Sequence, residues 1–144
     1  FWDTPIVESK DGKGRTRRLF AAAAMADVLR GIAASNQGVA ATIEDVHSMP
    51  EQGIAGAFSF GRGFGIWIGI LATLEIPTSY VSPQRWKKAM LNGSAGKDKS
   101  ASRLRAMELF PAASDCLHLK KHDGRAEALL MAAWARRAEG ETSM

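Results

Sequence analysis

Short apolar runs of four or five residues alternate along this chain with longer segments of helical period, and that alternation restricts the fold more than any other feature. Residues 39–43, Val-Ala-Ala-Thr-Ile, are small or β-branched and read as a strand buried on both faces of a mostly parallel sheet. Residues 78–81 read as another. Residues 19–34 carry Leu19, Ala22, Ala23, Ala26, Leu29, Ile32 and Ala33 at helical spacing, and Asn36-Gln37-Gly38 closes that helix. Residues 52–74 form a long helical candidate. Ser82-Pro83 opens a third helix, with serine as N-cap and proline in the first turn. Residues 99–109 form a fourth, stopped by Pro111, and residues 124–139 a fifth. Strands alternating with helices imply an α/β fold with helices covering the sheet.

At the N-terminus, residues 1–7 read as a strand and residues 9–14 as a hairpin loop leading into a basic segment over residues 15–18. With 144 residues, 46% of them hydrophobic, the chain is long enough for one core and too short for two. We therefore expect one domain over residues 1–139 and a disordered tail over residues 140–144. The lone Cys116 excludes an intrachain disulfide and suits a reducing cytoplasm. The most apolar window, residues 63–74, is uncharged over only 12 residues, short of the roughly 18 expected of a membrane span, so a soluble protein without a membrane partner is expected.

The long helix carries a stripe of small residues spaced by four: Ala57, Gly61, Gly65, Gly69 and Thr73. Each interior glycine costs about 1 kcal/mol of helix propensity, so close packing or passage of a ligand along the stripe must compensate, core packing being the usual reading of such a stripe.

Three acids stand where chemistry is plausible. Glu44 follows directly on the buried run 39–43, at the strand end where open α/β sheets place their ligands; a solvated strand end is the plainer reading of Glu44 alone, and of Asp45 beside it. Asp123 and Glu127, four apart, share one helix face, with Cβ atoms roughly 5 to 6 Å apart. Continued by threes and fours, that face reaches Ala126, Leu130, Met131 and Trp134, the residues expected to pack on the sheet. Seen singly, Asp123 is an N-cap and Glu127 a first-turn acid favoured by the helix dipole. Aimed inward as a pair they need counter-charge, and with Glu44 they make an oxygen-rich donor set suited to Mg²⁺ or Mn²⁺.

The formal net charge of +4 and isoelectric point near 9.5 point modestly to an anionic partner. Arg85, Lys87, Lys88, Lys97, Lys99, Arg103 and Arg105 face the single acid Asp98 over residues 85–105, and the glycine-containing loop 92–100 enters a helix between them. A solvated helix face is the usual meaning of such a run; a helix N-terminus flanked by lysines is also a ready phosphate site. The loop lacks a P-loop ending, and His47, His118 and His122 have no zinc-ligand spacing.

Five blocks, in order, carry a family resemblance: residues 43–50 (Ile-Glu-Asp-Val-His-Ser-Met-Pro), 58–63 (Phe-Ser-Phe-Gly-Arg-Gly), 81–88 (Val-Ser-Pro-Gln-Arg-Trp-Lys-Lys), 97–100 (Lys-Asp-Lys-Ser) and 123–130 (Asp-Gly-Arg-Ala-Glu-Ala-Leu-Leu). Together they resemble the RuvC-like Holliday junction resolvases of bacteria and phages. The resemblance implies an RNase H-like mixed sheet flanked by helices and a homodimer acting on a four-way DNA junction, with Mg²⁺-dependent hydrolysis of the phosphodiester. It makes Glu44, Asp123 and Glu127 metal ligands, and Arg62, Arg85, Lys87, Lys88, Lys97 and Lys99 DNA contacts. His47 falls where the family wedges a side chain into the junction centre, and the helix over residues 52–74, with Phe58, Phe60, Phe64 and Trp67, falls at the dimer interface. Many members space the last acidic pair by three and end it in Asp. The family also begins with a strand bearing a catalytic Asp in an Asp-Pro-Gly-like motif; these 144 residues contain none, so an N-terminally incomplete domain is expected, with Asp3 an ordinary strand residue. A non-catalytic DNA-binding remnant and an RNase H-like nuclease without junction specificity are the competing readings.

Overall fold

A computed structural model describes residues 1–47, 53–91 and 100–142. The chain is mixed α/β and divides into two compact units, one of residues 2–41 and 47–78, the other of residues 42–46 and 79–144 with Phe1.

The first unit opens with an antiparallel hairpin, β1 (Ile6–Lys10) and β2 (Thr16–Phe20), registered from Ile6 opposite Phe20 to Lys10 opposite Thr16. The basic segment is thus a strand, and Asp3 and its neighbours precede β1 instead of belonging to it. Asp11 builds the turn: one carboxylate oxygen accepts the backbone N–H groups of Lys13 and Arg15, each at 2.9 Å, while Gly14 takes the positive φ of 74° that the turn requires. Helix α1 (Ala22–Ser35) buries Met25, and α2 (Ile54–Thr73) buries Gly63 and Leu71.

Of the two readings of the glycine stripe, close packing does not hold. A Cβ placed on Gly61, Gly65 or Gly69 would meet nothing within 4 Å; the crowded glycine is Gly63, off the stripe, where an added Cβ would lie 2.5 Å from the Phe20 ring. The stripe, far from letting two backbones touch, helps to line a groove of about 360 Å³ with Ala22, Ala26 and Arg30 of α1. Along α2, Ile54 and Phe58 are strongly exposed and Phe60 less so, whereas Phe64 and Trp67 are half-buried. At 20 residues α2 is also long and apolar enough by length and composition to cross a membrane, a length the uncharged window alone did not reveal. Arg62 near its middle would make a bilayer position costly.

The second unit holds most of β3 (Ala41–Glu44) and β4 (Thr78–Val81), which form a two-stranded sheet. Ala41 N–H donates to Pro77 and Asp45 N–H to Val81, so both strands advance together and the pairing is parallel. β3 was expected to be buried on both faces, but its residues are all half-buried, because among the described residues its strand partner is β4 alone.

Helix α3 (Pro83–Met90) starts at Pro83 as expected, although the Ser82 hydroxyl makes no cap bond; its carbonyl instead accepts from Arg85 and Trp86. Helix α4 (Ala101–Leu109) ends before Pro111, which opens a 3₁₀ segment (Pro111–Cys116). A second 3₁₀ turn (Lys120–His122) runs directly into α5 (Asp123–Thr142), so residues expected to form a tail are helical as far as Thr142. Val81, Trp86, Met90, Leu91, Ala106, Leu117, Ala126 and Leu130 form the core of this unit.

Candidate functional site

α5 presents Ala126 and Leu130, both fully buried, and half-buried Met131 and Trp134 on one face, as the spacing predicted. That face packs on α3 and α4, where the sequence suggested the sheet. Helices therefore surround the acids, and helices supply their counter-charges.

Glu127 receives the Lys87 ammonium of α3 at 3.0 Å and, on the same oxygen, the Ser102 hydroxyl of α4 at 3.4 Å. Asp123, one turn earlier, is gripped by the Arg103 guanidinium, whose other arm donates to the His118 carbonyl at 3.2 Å. Consecutive residues of α4 thus hold the two acids of α5, which is how a pair of carboxylates four apart is tolerated against an apolar core. α5 begins at Asp123 in helical conformation, so Asp123 is a first-turn acid and not an N-cap.

Glu44 closes β3. The indole Nε1–H of Trp86 donates to its Oε1 at 2.7 Å across 42 residues of sequence. Trp86 is fully buried, and the Lys87 ammonium lies 5.2 Å from its ring centroid. Two neighbouring residues of α3 therefore contact two acids on different elements. Glu44, Trp86, Lys87, Glu127 and Ser102 form one chain of contacts, and Arg103 with Asp123 forms a second pair beside it on α4 and α5.

Trp86, Ser102 and Arg103 are the members that sequence reasoning passed over or counted only as charge. Trp86 had a signal: with Met90 it forms the i, i+4 apolar pair of an otherwise basic helix, the pattern of an inward-facing residue.

Three carboxylates match a hard divalent cation in kind, and Lys87 and Arg103 between them leave one negative charge of the trio uncompensated. Among the described residues, no three His, Cys, Asp or Glu side chains lie together as a group that could hold a metal ion. The donor set fits the ion in its chemistry; loading it requires the two cations to yield.

The expected DNA contacts are distributed less evenly. Arg85 and Lys88 are exposed on α3, the Arg85 guanidinium 5.4 Å from the Trp134 ring centroid. Lys87 is one-third exposed and paired with Glu127. Arg105 is turned inward to the Met90 carbonyl and Glu108. Arg62 on α2 and His47 just past β3 are exposed. Lys97 and Lys99 lie outside the described residues.

The chain is thus α/β, with Glu44 at a strand end, Asp123 and Glu127 in the first turns of α5, and Arg85 and Lys88 exposed on α3. No protein-family model matches it. The chain is similar to the chloroplastic Holliday junction resolvase of Chlamydomonas reinhardtii, 31% identical over 150 residues. That match takes in 93% of this chain but only 17% of the algal protein.

Proposed function

We propose that this chain carries the site of a structure-selective DNA endonuclease that resolves four-way junctions by phosphodiester hydrolysis, on an RNase H-like framework of the RuvC type. One observation carries the reading: Trp86 and Lys87 of α3 link Glu44 to Glu127, with Asp123 one turn away on α5, in a chain similar over 93% of its length to a protein named as a junction resolvase.

In this reading Glu44, Asp123 and Glu127 hold Mg²⁺ or Mn²⁺. When bound, such an ion supplies charge for the phosphate oxygens and a more acidic water. The chain's own part is to aim the carboxylates and to hold the backbone. Arg85 and Lys88 neutralise phosphates, as do Arg62, Lys97 and Lys99, and Lys87 joins them on leaving Glu127. His47 stacks on an unpaired base at the junction centre. The exposed apolar residues of α2 meet a second copy, giving the homodimer that cutting two opposed strands requires.

Gel-shift titration tests the core of this: four-way junction against linear duplex of equal length, at several salt concentrations. The expected result is preference for the junction that persists as salt rises, with a log–log slope of about 0.9 per neutralised phosphate. Equal affinity for both DNAs would favour a nuclease without junction specificity, and absence of binding to either would sink the reading.

A further inference from the structure

We infer that Trp86 is a positioning residue for Glu44: its buried indole N–H fixes which oxygen of the carboxylate stays with the protein and which is presented to a cation. The inference rests on the reading of Glu44 as a metal ligand and adds a residue that the acids alone do not reveal.

Trp86 is fully buried among Val81, Met90, Ala106, Leu117 and Leu130, so its ring has no room to reorient. An indole has a single donor, and a buried one must find an acceptor. Here that acceptor is a carboxylate from another element, at the short distance of 2.7 Å. Glu44 has several rotatable bonds at a strand end and would otherwise sample many positions; tied at Oε1 to an immobile donor, it samples few. Among the described residues, no protein partner is found for its Oε2. Because Lys87 follows Trp86 directly and reaches Glu127, the placement of Glu44 and Glu127 depends on the same turn of α3.

A purely structural role would need the bond only to satisfy the indole. The two roles differ in what a cation does to it. A cation on Glu44 withdraws electron density from the carboxylate and weakens the indole bond, so the Trp86 Nε1–H proton resonance should move as Mg²⁺ is added.

The experiment uses the full chain and the metal alone. Mn²⁺ affinity is read from the electron paramagnetic resonance of the free ion, and Mg²⁺ is titrated into ¹⁵N-labelled protein while the indole resonances are followed. Glu44→Gln is expected to weaken Mn²⁺ binding at least about tenfold, and Trp86→Phe about tenfold, the lower end of what loss of a ligand's supporting partner costs. The Trp86 indole resonance should shift with Mg²⁺ in the parent chain and stay still in Glu44→Gln. If Glu44→Gln binds Mn²⁺ as tightly as the parent, the ligand reading of Glu44 fails and takes this inference with it. If Glu44→Gln is weakened but Trp86→Phe is not, or the parent's indole resonance is stationary while Mn²⁺ binds, the positioning role alone is overturned. Should Trp86→Phe not fold, the indole resonance of the parent decides by itself.

Discussion

The Lys87 ammonium stands 3.0 Å from a carboxylate oxygen of Glu127, joining α3 to α5. Both side chains are about one-third exposed, so the pair contributes at most about 1 kcal/mol to folding. Its larger effect is on any cation that approaches Glu127, which must displace the ammonium. Lys87→Met is therefore expected to unfold within about 1 kcal/mol of the parent while binding Mn²⁺ several-fold more tightly. Junction affinity should fall at the same time, with the salt slope reduced by no more than about one unit. Calorimetric titration and gel shift read the two effects; Mn²⁺ affinity that is unchanged or lower removes Lys87 as a competitor.

Arg103 ties Asp123 to the His118 carbonyl, and only 16% of its side chain is exposed. Arg103→Ala loses a hydrogen bond to a charged group and strands a carbonyl, for an expected cost of about 1–2 kcal/mol, moderated because Asp123 is itself 42% exposed. Arg103→Lys keeps the charge but cannot serve both acceptors with one planar fork, and should fall between. Urea unfolding midpoints give the order; equal midpoints for Arg103→Lys and the parent would show that charge alone suffices.

At Gly63 the demand is steric. Its added Cβ would sit 2.5 Å from the Phe20 ring, so Gly63→Ala should destabilise by about 1–3 kcal/mol. Gly65→Ala and Gly69→Ala, which meet open space, should be neutral or stabilise by up to about 1 kcal/mol through helix propensity. Thermal unfolding of the three variants checks the contrast, and Phe20→Leu should relieve Gly63→Ala specifically.

The strand at residues 78–81 and the helix starting at Pro83 were legible because turn chemistry and period agree there. The glycine stripe misled because spacing by four identifies a face without saying what lies across it; Phe20, forty-three residues before Gly63, was invisible to a local pattern. In the site, the face shared by Asp123 and Glu127 was readable from helical period, and Glu44 from the strand end. What the acids pair with was not. Trp86, Ser102 and Arg103 reach them across 42, 25 and 20 residues respectively, and only packing brings such pairs together.

The hairpin turn supplies a pH dependence. The Arg15 backbone N–H foremost, with the Lys13 N–H and the Arg15 guanidinium, holds the Asp11 carboxyl below its ordinary value, against an opposing effect of burial second in size only to the Arg15 N–H. A depressed acid stabilises the folded state above its unfolded value and loses that contribution as pH falls through the folded one. Acidification through and below the normal carboxylate range should therefore loosen the β1–β2 turn, and Asp11→Asn should remove that part of the pH dependence. Hydrogen exchange of the Lys13 and Arg15 amides reports it; protection that does not change with pH in the parent would rule out the carboxylate as the cause.

The last prediction separates binding from cutting. An in-line hydrolysis with two ions needs both in register with the scissile phosphate. In the proposed site Glu127 and Asp123 are paired with Lys87 and Arg103, which makes a second ion harder to hold. The cations on α3 do not depend on that ion: Arg85 and Lys88 are exposed whether or not the acids are loaded. On the proposed reading these residues are therefore expected to bind four-way junctions without cleaving them in Mg²⁺. Denaturing gels of end-labelled junctions measure this. Efficient Mg²⁺-dependent nicking by the 144 residues alone, abolished by Glu44→Gln, would mean that another acid, Asp3 or Asp45, completes the site, and Asp3→Asn and Asp45→Asn would then tell which.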